Sequence, residues 1–369
     1  MPNERSPIVL DVACENWNPM DGYGQVATTL VEGLTSRHGV DVNVVGNSRS
    51  TASVVPGSFY ATQLTRPRLP SAGSILLGYP TLFHTFGTSL EHGVRIAITM
   101  FESTRLPPGW VEVLNRLDGV IVPSAWLETT FRREGVTVPL YRVPLGIRDC
   151  YRPLARPEGR SPFTFLTLQT PYPRKGWDIA IRAFNLAFGR DPRYRLIIKL
   201  RRDRKLPVKI LHPGVEVLAD DLDDDGMASL FGAVDAFVFP TRGEGFGLPP
   251  REAAATGLPV VATAWGGTKD DIDEWGWPLK WNMAAAWPGH GNLAGVGEWA
   301  GPDVHHLAEL MREIADRGPD VRARAVCNAE RVKSLYNWPA FVDRVWRITE
   351  AVAASRERGG FKAFPRPTC

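Results

Sequence analysis

Cysteine is scarce in this chain, and what there is lies scattered. Four occur in 369 residues, at Cys14, Cys150, Cys327 and Cys369. No C-x-x-C occurs, so neither a zinc site nor a disulfide framework is indicated, and a reducing cytoplasm fits. Long apolar runs are missing too. No stretch approaches the roughly 18 apolar residues needed to span a bilayer. The opening MPNERSPIVLDVA lacks the apolar core of a secretory signal. A surplus of one charge is also absent: 43 basic residues face 40 acidic ones, a formal net charge of +3. So small an imbalance argues against a dedicated nucleic-acid binder or a strongly membrane-held protein. What is present is 44% hydrophobic and 22% charged. Those are ordinary globular values, in enough chain for two domains.

The rest of the chain is organised around residues 237–263, FVFPTRGEGFGLPPREAAATGLPVVAT. Phe237-Val238-Phe239 reads as a short apolar strand bounded by Pro240. A loop with three glycines follows. Pro249 and Pro250 suit the first turn of a helix, where a missing N–H costs nothing. Gly257 ends that helix, and Val260-Val261-Ala262 is a strand apolar enough to be covered on both faces. The chemistry belongs to the turn. Gly245 and Gly247 let a ligand approach the backbone, and amides at a helix N-terminus attract anions. Glu244 and Glu252 cannot serve a phosphate. Carboxylates suit hydroxyl donors such as those of a ribose or a hexose.

The whole string, strand–EGFGLP–Glu–GLPVVAT, resembles the E-x7-E region of retaining GT-B glycosyltransferases of family 4. The resemblance runs over most of residues 8–355 and is strongest in the second half. It implies an α/β fold of two Rossmann-like, doubly wound domains facing a cleft, with a C-terminal helix crossing back to the first domain. Expected bounds are 1–150 for an acceptor-side domain, 151–340 for a nucleotide-sugar domain, and 341–369 for the crossover helix and tail. It implies that Glu252 holds the nucleotide ribose and that Glu244 contacts the donor sugar. The amides of Gly245, Phe246, Gly247 and Leu248 would meet sugar and diphosphate. The co-substrate would be a nucleotide-diphospho-sugar, with no metal required. The acceptor stays open, and nucleic acid enters only as one conceivable acceptor. Two other readings stay open as well: a sugar-nucleotide epimerase of the same fold, and a non-catalytic glycan- or nucleic-acid-binding protein.

In chain order, Ile8–Val12 reads as a strand and Gln25 to about Arg37 as a helix. Gly22 and Gly24 lie between them, either in a plain turn or, as the resemblance implies, facing the donor. His84 and Glu102 follow two further strands, near the strand ends where doubly wound sheets bind ligands. Each is read either as an acceptor-side residue or as a locally bonded one. Residues 150–161 read as a Pro-, Arg- and Gly-rich linker. Arg174 and Lys175 stand at a loop-to-helix junction, where a basic pair suits a diphosphate. Gln169 occupies a place where the family often has an arginine. Lys199 lies on the next strand among many basic residues, which form either a solvated surface or a contact for an anionic partner.

The run Asp220–Asp225, DDLDDD, is read as the acidic start of a helix from Met227 to Val234 rather than as a metal site. Gly266-Gly267 resembles a family loop near the donor. Trp275, Trp277, Trp281, Trp287 and Trp299 crowd a Gly- and Pro-rich stretch, which is either a sugar platform or local packing. No internal repeat is visible beyond the two-domain symmetry.

Overall fold

Short runs of β-branched and aromatic residues, apolar on both sides, set the architecture, because such strands are stable only when covered on both faces. A computed structural model describes residues 8–87, 93–155, 161–286 and 296–358. It divides into two units. Among the described residues, the first takes 8–100, 108–146 and 338–358, and the second takes 101–107 and 147–337.

In the first unit the strands are β1 (Val9–Cys14), β2 (Asp41–Val45), β3 (Gly73–Leu77), β4 (Val94–Ile98), β5 (Gly119–Val122) and β6 (Leu140–Arg142). Between them lie α1 (Gly22–His38), α2 (Ser48–Ser53), α3 (Phe59–Gln63), α4 (Trp110–Leu114) and α5 (Ala125–Arg133). The six strands are all parallel, in the order β2-β1-β3-β4-β5-β6. Asp21 caps α1 by accepting from the Tyr23 amide, and Ser124 caps α5 through the Leu127 amide.

The second unit holds β7 (Phe163–Leu168), α6 (Trp177–Phe188), β8 (Tyr194–Leu200), β9 (Val215–Ala219), α7 (Asp224–Gly232), β10 (Ala236–Phe239), α8 (Leu248–Ala255) and β11 (Val260–Thr263). It continues with α9 (Ile272–Trp275), β12 (Trp277–Leu279), β13 (Trp281–Ala285), β14 (Glu298–Pro302), α10 (Val304–Asp316) and α11 (Gly318–Leu335). Its main sheet is parallel throughout, in the order β12-β11-β10-β7-β8-β9. Counted from β7 that is the 3-2-1-4-5-6 order of a doubly wound dinucleotide sheet. Phe165, Leu196, Ile198, Val238 and Val261 from the sheet pack with Phe184, Leu307 and Met311 in one apolar core.

The last helix, α12 (Trp338–Arg358), belongs to the first unit. It lies so close on α1 that a Cβ on Gly33 would stand 2.6 Å from Val342 Cγ2. Asp343 pairs with Arg37 at 2.8 Å and accepts from His38 at 3.0 Å, and Arg356 pairs with Asp118 near the far end. The closing helix thus returns to the first unit, as the sequence reading expects. Among the described residues no helix is long and apolar enough to cross a membrane.

The acidic run is used locally. Asp223 caps α7, accepting from Gly226 at 2.8 Å. Asp224 pairs with Arg148 at 2.9 Å and accepts from the Tyr151 hydroxyl at 3.1 Å. Asp220 and Asp221 pair with Arg202 and Arg201. The basic cluster is thereby partly answered within the chain, with Arg195–Glu216 and Arg204–Asp203 adding to it. Helix α7 starts at Asp224, three residues before the expected Met227, because the acidic residues form its first turn.

The Trp-rich stretch is no loop link: α9, β12 and the antiparallel β13–β14 pair occupy its described part. Trp275 and Trp277 are buried core residues. Trp281 donates to the Ala264 carbonyl at 2.7 Å. Packing therefore accounts for these three. Trp287, residues 156–160 of the expected linker and the tail from Phe361 lie outside the described residues.

Candidate functional site

A doubly wound sheet opens a crevice where the strand order reverses, beyond the carboxyl ends of the two flanking strands. In the second unit those strands are β7 and β10. The loop after β7 carries Arg174 and Lys175, and the loop after β10 carries Glu244. The two loops touch backbone to backbone. The Arg242 amide donates to the Arg174 carbonyl at 2.7 Å. Gly176 has φ +76°, and a Cβ there would overlap the Pro240 carbonyl oxygen. Arg242 reinforces the joint with a bidentate pair to Asp178 at 2.8 and 3.0 Å and a bond to the Pro173 carbonyl.

Gly176→Ala adds both the overlap and a left-handed backbone strain of about 1–3 kcal/mol. Thermal unfolding should show a clearly lower midpoint. An unchanged midpoint would mean the two loops are not packed as described.

The charges meet at Glu244. Lys175 Nζ donates to its Oε1 at 2.7 Å, and Arg174 Nη1 lies 3.2 Å from the same oxygen. Arg174 also donates to the Gly243 carbonyl at 2.5 Å and stands 3.6 Å from Glu102. Glu102 comes from residues 101–107, the short segment that sides with the second unit. Burial lowers the Lys175 pKa, with the Glu244 carboxylate opposing and the Arg174 charge adding to the fall. Its ammonium also sits 5.4 Å from the Phe239 ring centre. Four charged groups, two of each sign, are thus held at one crevice. A pair of cations already turned toward one anion there can serve another that enters beside it.

Gly247 precedes α8 with φ +86°, a conformation that favours glycine, and a Cβ there would meet Thr268 Cγ2 at 2.8 Å. Leu248 then opens the helix, in front of the expected Pro249 and Pro250. The loop after β11 packs against this turn. The Gly267 amide donates to the Glu244 carbonyl at 2.7 Å, and a Cβ on Gly267 would overlap the Gly245 carbonyl. Gly266 and Gly267 thus let two loops pack main chain on main chain, beside the loop of Gly245, Phe246 and Leu248.

Glu252 is buried in α8. Burial raises the hydroxyl pKa of nearby Tyr151, with the charges of Glu252 and Asp224 adding. Cys150 is pushed up to about 11 by burial, with Asp224, Asp225 and Glu252 contributing. The Glu252 carboxylate is therefore within electrostatic reach of the 150–151 segment.

Other expected residues lie elsewhere. Lys199 is buried, and its ammonium donates to the carbonyls of Leu200 at 2.8 Å and Asp220 at 2.6 Å. Gly22 and Gly24 start α1 in the first unit, after β1. His84 is exposed on the turn Pro80–Phe86, after β3. These loops follow the two strands that flank the first sheet's own reversal point.

Sequence reasoning passed over Arg251 and the Arg242–Asp178 pair. Arg251 is 1% exposed, and its guanidinium reaches the carbonyls of Phe246, Gly247 and Gly267 and the Asp271 carboxylate. The available signal was a lone arginine in an Ala-rich helix between two buried strands.

Two parallel doubly wound sheets with the last helix returned to the first define the GT-B class of fold. The chain superposes on sucrose-phosphate synthase of Thermosynechococcus elongatus with a TM-score of 0.70 and 18% identity, over 94% of this chain and 100% of that one. It superposes on Anabaena HepE, solved in complex with UDP-glucose, with a TM-score of 0.65 and 14% identity, over 93% and 100%. The family described as Glycosyl transferases group 1 matches residues 163–282, so the second unit carries the mark of that family. The D-inositol 3-phosphate glycosyltransferase of Saccharomonospora viridis is 28% identical over 199 residues, 50% of this chain and 42% of that protein. The chain spans half or less of the length of the curated relatives it matches.

Proposed function

We propose that this chain is a retaining glycosyltransferase of family 4. It moves a hexose from a nucleotide-diphospho-sugar to an acceptor hydroxyl, without a metal ion. The observation that supports this most is the cluster of Lys175, Arg174 and Glu244 at the reversal point of the second sheet, beside the N-terminus of α8. The family match over the same unit and the E-x7-E spacing of Glu244 and Glu252 point the same way.

Lys175, Arg174 and the loop amides of Gly245–Leu248 face the diphosphate. Bond breaking at the anomeric carbon leaves that diphosphate with extra negative charge, and fixed donors aimed at growing charge are usually the largest catalytic contribution. The leaving oxygen takes the proton of the attacking hydroxyl. Glu244 meets the sugar hydroxyls, and Glu252 accepts from the ribose. Glu102, tied to Arg174, brings the 101–107 segment to this chemistry.

Release of nucleoside diphosphate from a panel of uridine- and guanosine-linked sugars tests the reading. Hydrolysis or transfer should proceed at an unchanged rate in EDTA. Loss of activity in EDTA with rescue by manganese would return the acidic residues to a metal-binding role.

A further inference from the structure

Arg251 and Glu252 are neighbours on α8, yet about 100° apart around its axis at 3.6 residues per turn. While Glu252 is within electrostatic reach of the 150–151 segment, the Arg251 guanidinium enters a cage of three rings. Its carbon lies 4.1 Å from the Phe246 ring centre, 5.2 Å from Trp275 and 5.1 Å from Tyr336. Asp271 balances its charge. Its two terminal nitrogens also reach three main-chain carbonyls. Nη1 reaches Phe246 and, at 3.2 Å, Gly247. Nη2 reaches Gly267 at 3.0 Å.

Those carbonyls belong to the two loops that frame the N-terminus of α8. In a planar trans peptide the C=O of one residue and the N–H of the next point in opposite directions. Drawing the carbonyls of Phe246, Gly247 and Gly267 inward therefore turns the N–H groups of Gly247, Leu248 and Thr268 away from Arg251. The first turn of α8 has few donors to spare. Pro249 and Pro250 have no N–H, which leaves Leu248, with Gly247 just before it, among the positions whose amides have no partner within the helix. Only a planar fork of several donors can hold three carbonyls and a carboxylate at once. A lysine in the same place supplies charge without that geometry.

We propose that Arg251 is a positioning residue: it aims the amides of Gly247, Leu248 and Thr268 so that they receive the diphosphate of the donor. This rests on the reading of the second unit as a nucleotide-sugar site. It assigns the Arg251 face of α8 to the same task as the helix N-terminus.

The test separates diphosphate from nucleoside. Wild type is titrated calorimetrically with UDP, GDP and ADP and with the matching nucleosides, and the best-bound pair is carried forward. Arg251→Lys should weaken diphosphate binding about 10- to 100-fold, as loss of aligned donors to a charged group does. Nucleoside affinity should stay essentially unchanged, because Glu252 is untouched. If the lysine variant fails to fold, the double variant Arg251→Met with Asp271→Asn replaces it, since it leaves no buried charge unpaired, and the same split is expected. Equal losses for diphosphate and nucleoside, or an unchanged diphosphate affinity in a folded variant, would overturn the positioning role while leaving the nucleotide site standing. Failure of wild type to bind any of the three diphosphates would overturn the site reading, and the positioning role with it.

Discussion

Lys175→Ala should turn over about 10²–10³ times more slowly than wild type, the usual cost of deleting one donor to a developing oxyanion. The ammonium is the group most tightly committed to the Glu244 cluster, at 2.7 Å. Little else can replace it. Arg174 is already shared among Gly243, Glu244 and Glu102, and the Lys199 ammonium is engaged by two carbonyls. Nucleoside diphosphate should still bind, since ribose and loop contacts persist, so kcat falls much more than affinity. Steady-state rates with the accepted nucleotide sugar, set beside calorimetric titration of the diphosphate, measure both quantities. Unchanged turnover would move the diphosphate role away from this crevice.

Glu252→Gln should lose nucleotide affinity while keeping its fold. A carboxylate that accepts from two ribose hydroxyls makes two bonds of about 1.5–3 kcal/mol each. Weakening both should cost tenfold to more than 100-fold in affinity, at about 1.4 kcal/mol per factor of ten. The competing view makes Glu252 a first-turns carboxylate that favours the helix dipole, which contributes about 0.3–1 kcal/mol to stability. That view predicts a slightly lower melting temperature and unaltered binding. The amide keeps the side-chain shape, so the two outcomes separate cleanly when titration and thermal unfolding are run on the same preparation.

The parts of the fold that rest on local signals were legible in the sequence. Strand β10, helix α8 and strand β11 were readable to within a residue or two, because apolar strands, prolines in the first turn and a terminating glycine are all short-range features. Strand β9 went unread. It is a half-exposed edge strand, and its alternating Val215-Glu216-Val217 pattern is short. The β13–β14 pair was hidden by the glycines and prolines of its surroundings, which argue for a loop. What no local pattern carries is pairing over distance. Lys175 and Glu244 are separated by 69 residues, and Arg242 and Asp178 by 64. Arg251 reaches carbonyl and carboxylate partners 16 and 20 residues on. The sequence named Lys175 and Glu244 as candidates without indicating that they meet. The assignment of residues 101–107 to the second unit is likewise a matter of tertiary contact: Gly243 makes room for the Glu102 carbonyl, and Thr104 exchanges bonds with Glu298.

A crystal of the chain soaked with the nucleoside diphosphate that binds best tests the central claim most directly. The account predicts ribose hydroxyls at hydrogen-bond distance from the Glu252 carboxylate. It places the diphosphate against Lys175 and the amides of Gly247 and Leu248, at the reversal point between β7 and β10. A nucleotide bound elsewhere on the second unit, or one whose phosphates face away from Lys175, would contradict it.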